Sequence, residues 1–383
     1  VGSQIAGLNS DDVAELTATE IANIQPTALS SLTTTALSAL NATLIKALDS
    51  TQLKGFSATQ IASLDPDHIA QCTADQLTDL TPAAFKAIST SALAALSSTQ
   101  LAALGKTQIA SLTATQLLSL STTQITELPM SQWTALTSTQ IWYLNSDVIS
   151  ALTSTMLSAL STTQIKGITS TALSQLSATQ IAAFSSTQLS ALTRTQITAL
   201  SATDVAELTT TELASMSSTM LSSLSSTALQ GLSTTLIASL STTQIKGITS
   251  TQCAALTETQ LAAFADTQIA ALNITTIRGL ASTAISALTG TQIHALSPAA
   301  ASMLTTTQLA GLDATQLAGL TPTQMSWLKS TAIAALSSTQ IQALSSRQIG
   351  SINPTALSGL STSQIALLSA TQIQGLTATQ VAS

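Results

Sequence analysis

Residues 97–104 read SSTQLAAL, and close variants of these eight letters fill the chain: SATQIASL at 57–64, STTQIKGI at 161–168 and again at 241–248, SSTQIQAL at 337–344. Cut from Val1 into eights, the 383 residues give 47 complete octads and a seven-residue remainder, without insertion or deletion. The eighth position is Leu in 37 of the 47 complete octads and apolar in the rest. The fifth is Ile, Leu or Val almost throughout. The first is Ser, Thr, Asn or Asp in 41 of 48, the third is Thr in 37, and the fourth is Gln in 27. Position seven favours Ala, Gly and Ser. A repeat at fixed period decides the architecture before any other pattern is weighed.

The consensus S/T-x-T-Q-I/L-x-A/G-L does not suit a continuous helix. Its apolar spacings of three and five average about 4 residues rather than 3.6, so the stripe would turn about 80° per octad. A strand would send positions five and eight to opposite faces. A short helix restarted in every octad fits. Position one is then the N-cap, and Gln at position four is the residue that reaches back to close an S/T-x-x-Q capping box. Six of the seven prolines (Pro26, Pro66, Pro82, Pro298, Pro322, Pro354) stand at position two, the first helical position, where a missing N–H costs nothing. Pro129, at position one, is the exception.

The alternative is a β-solenoid with Thr and Gln columns stacked as ladders. The abundance of Ala, Leu, Gln and Met and the placement of proline favour helix. The expected fold is therefore an all-α solenoid of very short helices, one per octad. A helix of about six residues, roughly 9 Å long, does not persist alone in water. It must stack on neighbours, and small residues at position seven let the neighbours approach. The pattern leaves handedness and pitch open.

Charge is sparse and uneven. Charged residues make up 7% of the chain, against about a quarter in an ordinary soluble domain, while the 45% apolar content sets it apart from disordered sequence. Residues 1–80 hold nine acids (Asp11, Asp12, Glu15, Glu20, Asp49, Asp65, Asp67, Asp75, Asp79) against Lys46 and Lys54. Residues 81–383 hold eight of each sign. The organisation expected is one continuous repeat over 1–383, with an acidic end at 1–80 and a net-neutral body at 81–383. Without a basic stripe, nucleic acid is not an expected partner. Without a run of about 18 apolar residues, neither is membrane insertion as a helix. A start at Val1 rather than Met reads as a processed product or a fragment. The recurrence of STTQIKGI, followed in both cases by Phe at position eight two octads later (Phe184, Phe264), reads as a duplication, with a superhelical period as the alternative.

Few residues bear chemistry. His294 falls at position six, an outward place, and Cys253 at position five, an apolar column where Cys acts as a small buried hydrophobe. In DPDHIAQCTAD (65–75), His68 and Cys72 are spaced i, i+4 with Asp65, Asp67 and Asp75 close by, a weak candidate metal set. The octad pattern instead makes Asp65 an N-cap and Cys72 a Leu-column residue. Residues 129–144, PMSQWTALTSTQIWYL, collect Met130, Trp133, Trp142 and Tyr143 in a chain with 2% aromatics. Trp133, at position five, belongs to the core. Trp142, Tyr143 and Met130 form a candidate interface, since aromatics dominate contact hot spots. Asn41 and Asn273 begin N-x-T sequons, yet both stand at position one as good caps. No residue set has the convergent, differently tasked groups an enzyme needs, and no cofactor is expected.

The phrase L-S/T-x-x-Q-I/L-x-A, repeated over the whole chain, resembles the Ser/Thr/Gln-rich octapeptide regions of large secreted or surface-attached bacterial adhesin-like repeat proteins. The segment LTPTQMSWL (320–328) also resembles the first helix of repeats in transcription-activator-like effectors, but the base-reading residues and longer repeat are missing. The first resemblance implies an extracellular or cell-surface location and a structural class. The expected function is a non-enzymatic rod, stalk or self-assembling filament subunit, associating end to end or laterally. One alternative is an extended scaffold binding a protein or glycan. A lesser one is an ice-binding array of the position-three threonines.

Overall fold

The computed structural model describes residues 5–382. Between Ser10 and Val381 it holds 47 helices of four to six residues, and no strand occurs among the described residues. The fold is all-α, and the β-solenoid reading is excluded. Every one of these helices begins at position two of its octad, with position one as N-cap.

The octad 97–104 shows how sequence makes the unit. Ser97 is extended (φ −69°, ψ 156°), and its side chain accepts from the Gln100 N–H. Gln100 Oε1 accepts in return from the Ser97 N–H at 2.8 Å. The helix runs Ser98–Ala103, and Leu104 is extended again (φ −62°, ψ 147°). Two extended residues, positions eight and one, thus form a corner between helices. No described residue has a positive φ, so the corner needs no glycine and repeats with ordinary residues. Where proline fills position two it simply starts the helix, as at Pro66 and Pro322.

The chain divides into two compact units, 1–184 and 185–383. Within each unit the helices wind into a coil. In the first, Pro66–Gln71 packs on Thr90–Ala94, three octads later. In the second, Ser250–Ala255 packs on Ile274–Gly279 with the same offset.

Glutamine links one turn to the next. In the first unit, Gln52 Nε2 donates to the carbonyls of Ile21 (2.9 Å) and Ile24 (2.7 Å), 31 and 28 residues earlier. In the second, Gln324 Nε2 reaches Ile293 (3.1 Å) and Leu296 (2.6 Å) by the same two steps. A step of 28 residues is three and a half octads. Each helix therefore sits over the corner between two helices of the preceding turn, as bricks are offset in a wall.

The core follows from this offset. Position-five side chains such as Ile61, Leu101, Ile293 and Leu317 are fully buried, and position-eight residues such as Leu64 and Leu296 nearly so. Most of the described glutamines at position four are buried beside them, including Gln52, Gln108, Gln252 and Gln324. Position seven is where turns come closest: a Cβ on Gly167 would overlap the Ser138 carbonyl, and one on Gly231 the Ala202 carbonyl.

Because the Gln amide must both accept and donate, replacing it by Ala or by Glu fails in different ways. Gln324→Ala removes the link and leaves neutral groups, and should cost about 1–3 kcal/mol. Gln324→Glu keeps the capping box but turns a buried carboxylate onto carbonyl oxygens, and should cost about 3–5 kcal/mol at neutral pH. Burial raises the folded-state pKa of such a carboxyl, so the deficit should vanish below the ordinary carboxylate range and grow as pH rises. Denaturant unfolding of both variants at acid and neutral pH measures this.

Candidate functional site

The octad 129–136, PMSQWTAL, breaks the consensus at its first and fifth positions. Pro129 takes the N-cap place, where it offers neither hydroxyl nor N–H. Gln132 still donates to Leu101 (2.9 Å), Ala102 (2.9 Å) and Leu104 (2.6 Å). Its Oε1, which every boxed octad satisfies from the N-cap N–H, is buried without a hydrogen-bond partner. Trp133 replaces the usual Ile and is fully buried, with Nε1 donating to the Met156 carbonyl at 3.0 Å.

One octad further, Trp142 and Tyr143 point outward. Trp142 is 57% exposed, and its ring meets Tyr143 edge-on at 5.0 Å between centroids. Met130 is exposed as well. Leu118, 55% exposed, is an apolar residue that the sequence reading did not single out. It precedes Tyr143 by 25 residues, the separation at which Thr78 reaches the Ala103 carbonyl and Ser286 the Gly311 carbonyl. Leu118 and Tyr143 thus stand on adjacent turns. Beyond them a shallow groove of about 410 Å³ is lined by Ser138, Thr139, Trp142, Thr163, Lys166 and Gly167. The result is a small apolar and aromatic ridge in the first unit; Trp327 and Ile274 are further exposed apolar side chains in the second.

The residues 65–75 are arranged around the glutamine role. His68 occupies position four, and its Nε2 meets the Leu40 carbonyl, 28 residues earlier, where a Gln amide would. Its Nδ1 faces Asp65 Oδ1, the one ion-pairing contact among the described residues. The backbone N–H of His68 holds the Asp65 carboxyl below its usual range. Cys72 is buried in the Leu column, with Sγ directed at the His68 carbonyl. Burial pushes both the Cys72 and Cys253 thiols up to about 12, so each stays protonated at neutral pH. Both ring nitrogens of His68 thus face protein oxygens, and Asp67 lies exposed on the first turn. Among the described residues no group of three or more His, Cys, Asp or Glu side chains is placed to hold a metal ion.

A wider groove of about 610 Å³ runs past Asp266, Gly290, Thr291, His294 and Thr315. Asp266 and His294 form no ion pair across it. The position-three threonines are outward, as at Thr99 and Thr107. With three and a half octads per turn, however, successive threonines face different sides of the coil rather than one plane. Asn41 and Asn273 serve as N-caps, accepting from Leu44 N–H and Thr276 N–H. Among the described residues no helix is long and apolar enough to cross a membrane. Comparison with family models and with curated proteins returns no match.

The unpartnered Gln132 oxygen has a direct remedy. Pro129→Thr restores the N–H and the hydroxyl, and should stabilise the first unit by about 1 kcal/mol or more. Hydrogen exchange of the amides in residues 129–136 should slow in the variant.

Proposed function

We propose that the chain is a non-enzymatic structural repeat protein, a length-giving stalk or rod segment that works outside the cell or at its surface. The observation that carries this reading is where the polar groups go. Position-one oxygens cap helices, position-four amides join turns, and the remaining Ser and Thr cover the surface. Very few side chains are left to act together on a substrate. A coil in which each Gln-bearing octad makes the same bonds to the octads before it, as Gln52 and Gln324 do, can be lengthened or shortened without redesign, because each added step meets the same kind of partners. An uncharged hydroxyl and amide surface with few lysines also suits exposure to proteases and changing salt.

The reading is tested by shortening. Removing residues 281–336, whole octads inside the second unit, should leave the helical circular-dichroism signal per residue unchanged and reduce the hydrodynamic radius. Loss of helicity would show that particular octads, rather than their number, matter, and would overturn a spacer role.

A second reading is favoured by the ridge of Leu118, Trp142 and Tyr143: the chain also serves as a scaffold that binds a protein or glycan there. Aromatic rings beside hydroxyls and a lysine suit the faces and hydroxyls of sugars, and exposed Trp and Tyr dominate contact energetics. Trp142→Ser with Tyr143→Ser should abolish retention on immobilised glycans or host-surface extracts that retain the parent chain. Equal retention of parent and variant would remove this reading.

A further inference from the structure

The position-six column that carries Trp142 continues to a cation. Trp142 and Lys166 stand at the same octad position 24 residues apart, and both line the shallow groove of about 410 Å³ beside the ridge. A second depression of about 440 Å³ shares Ser138 and Thr163 with the first, so the two run on from one another. Gln164 closes the seam beneath them, donating to the Leu136 carbonyl at 2.7 Å. Hydroxyls make up much of the wall, from Thr137, Ser138, Thr139, Ser161 and Thr163. Neither depression is lined by an Asp or Glu. Each falls within the range of about 300–1,000 Å³ usual for small-ligand sites.

Three kinds of group with different tasks therefore meet here. Trp142, its ring at 79° to that of Tyr143, stays 57% exposed and offers a flat apolar surface. The hydroxyls both donate and accept. Lys166 is exposed, and no carboxylate pairs with it among the described residues. A pyranose matches the first two: its C–H face lies on an indole ring, and its hydroxyls bond to side-chain hydroxyls. A neutral sugar leaves the ammonium unused, in a chain with seven lysines among 383 residues. A carboxylate on the sugar engages it through a charge-assisted hydrogen bond, stronger than any the neutral wall supplies.

The second copy of STTQIKGI supplies an internal comparison. Lys246 and Gly247 recur there, and a Cβ on Gly247 would overlap the Ser218 carbonyl as one on Gly167 would the Ser138 carbonyl. The place of Trp142, 24 residues before the lysine, is taken by Ser222. The same close approach of turns thus forms without the indole, so Trp142 is not there to build the seam. Of the two copies, the first alone sets an aromatic ring beside the lysine.

We propose that the groove between Trp142 and Lys166 binds acidic glycans, with a sugar ring on Trp142 and its carboxylate on Lys166. The inference rests on the scaffold reading of the ridge and names its ligand class. Uronates and sialates share the chemistry, since each carries a carboxylate on a pyranose ring.

Isothermal titration of the full chain tests it with sialyllactose against lactose, and with trigalacturonate against its methyl ester. The parent should bind at least one carboxylated probe about tenfold more tightly than its neutral counterpart, and the pair in which this occurs identifies the source. Lys166→Gln should bring that probe to the affinity of the neutral one. Trp142→Ser copies the arrangement of the second unit, so it should leave the circular-dichroism spectrum unchanged while weakening both members of the pair. Equal affinity for charged and neutral probes, lost in Trp142→Ser, overturns the role of Lys166 and leaves the glycan reading of the ridge standing. Failure of the parent to bind any of these probes overturns the proposal. Binding that Trp142→Ser leaves intact overturns the proposal and the ridge reading together.

Discussion

The amide of the fourth-position glutamine belongs to two places in the chain at once, and the rest of the fold depends on that double use. Its oxygen closes the first turn of its own helix, and its nitrogen ties the corner of the turn below. At Gln324, for example, Oε1 accepts from Thr321 and Nε2 reaches Ile293, His294 and Leu296. A buried amide with every donor and acceptor engaged contributes net stability and fixes register, whereas a half-satisfied one is costly. Because the bond always spans three and a half octads, it also sets how many helices make a turn. The apolar columns supply most of the energy of stacking, but they would allow several offsets; the amide selects one.

Much of this was legible in the sequence. N-caps, helix starts, proline placement and the columns at positions five and eight follow from local rules, and helices begin where SSTQLAAL says they should. The link between turns was not. A capping box accepts Glu or Gln equally, so Gln at position four was explained before its nitrogen was considered. The signal lay in the imbalance: Gln fills the place 27 times and carboxylates rarely, which local capping alone does not require. The same oversight shaped the view of residues 65–75. An i, i+4 spacing of His68 and Cys72 suggests two ligands on one face, yet the octad register assigns His68 to the turn-joining role and Cys72 to the core. Leu118 stayed hidden because position six is variable, and only the offset between turns brings it beside Tyr143.

A fold joined by neutral amides has consequences for what the surface can be. Ionisation plays little part in holding the turns, so charges are free to be rare and to mark particular places. Several serve capping, as Asp49 and Asp65 do at N-caps and Asp12 and Glu20 do by closing the capping boxes of their helices. The aromatic ridge marks another departure. It adjoins the one octad whose cap is broken by proline, where Gln132 keeps its links to the turn below but loses the bond to its own N-cap. The chain tolerates this because stacking, not capping, carries most of the stability of so short a helix.

The side-chain amide protons of the position-four glutamines test the central claim most directly. Solution NMR hydrogen exchange should find those of buried residues such as Gln252 and Gln324 strongly protected, while those of the exposed Gln342 exchange freely. Equal, rapid exchange at all of them would mean that the amides do not join the turns, and that the coil is held in some other way.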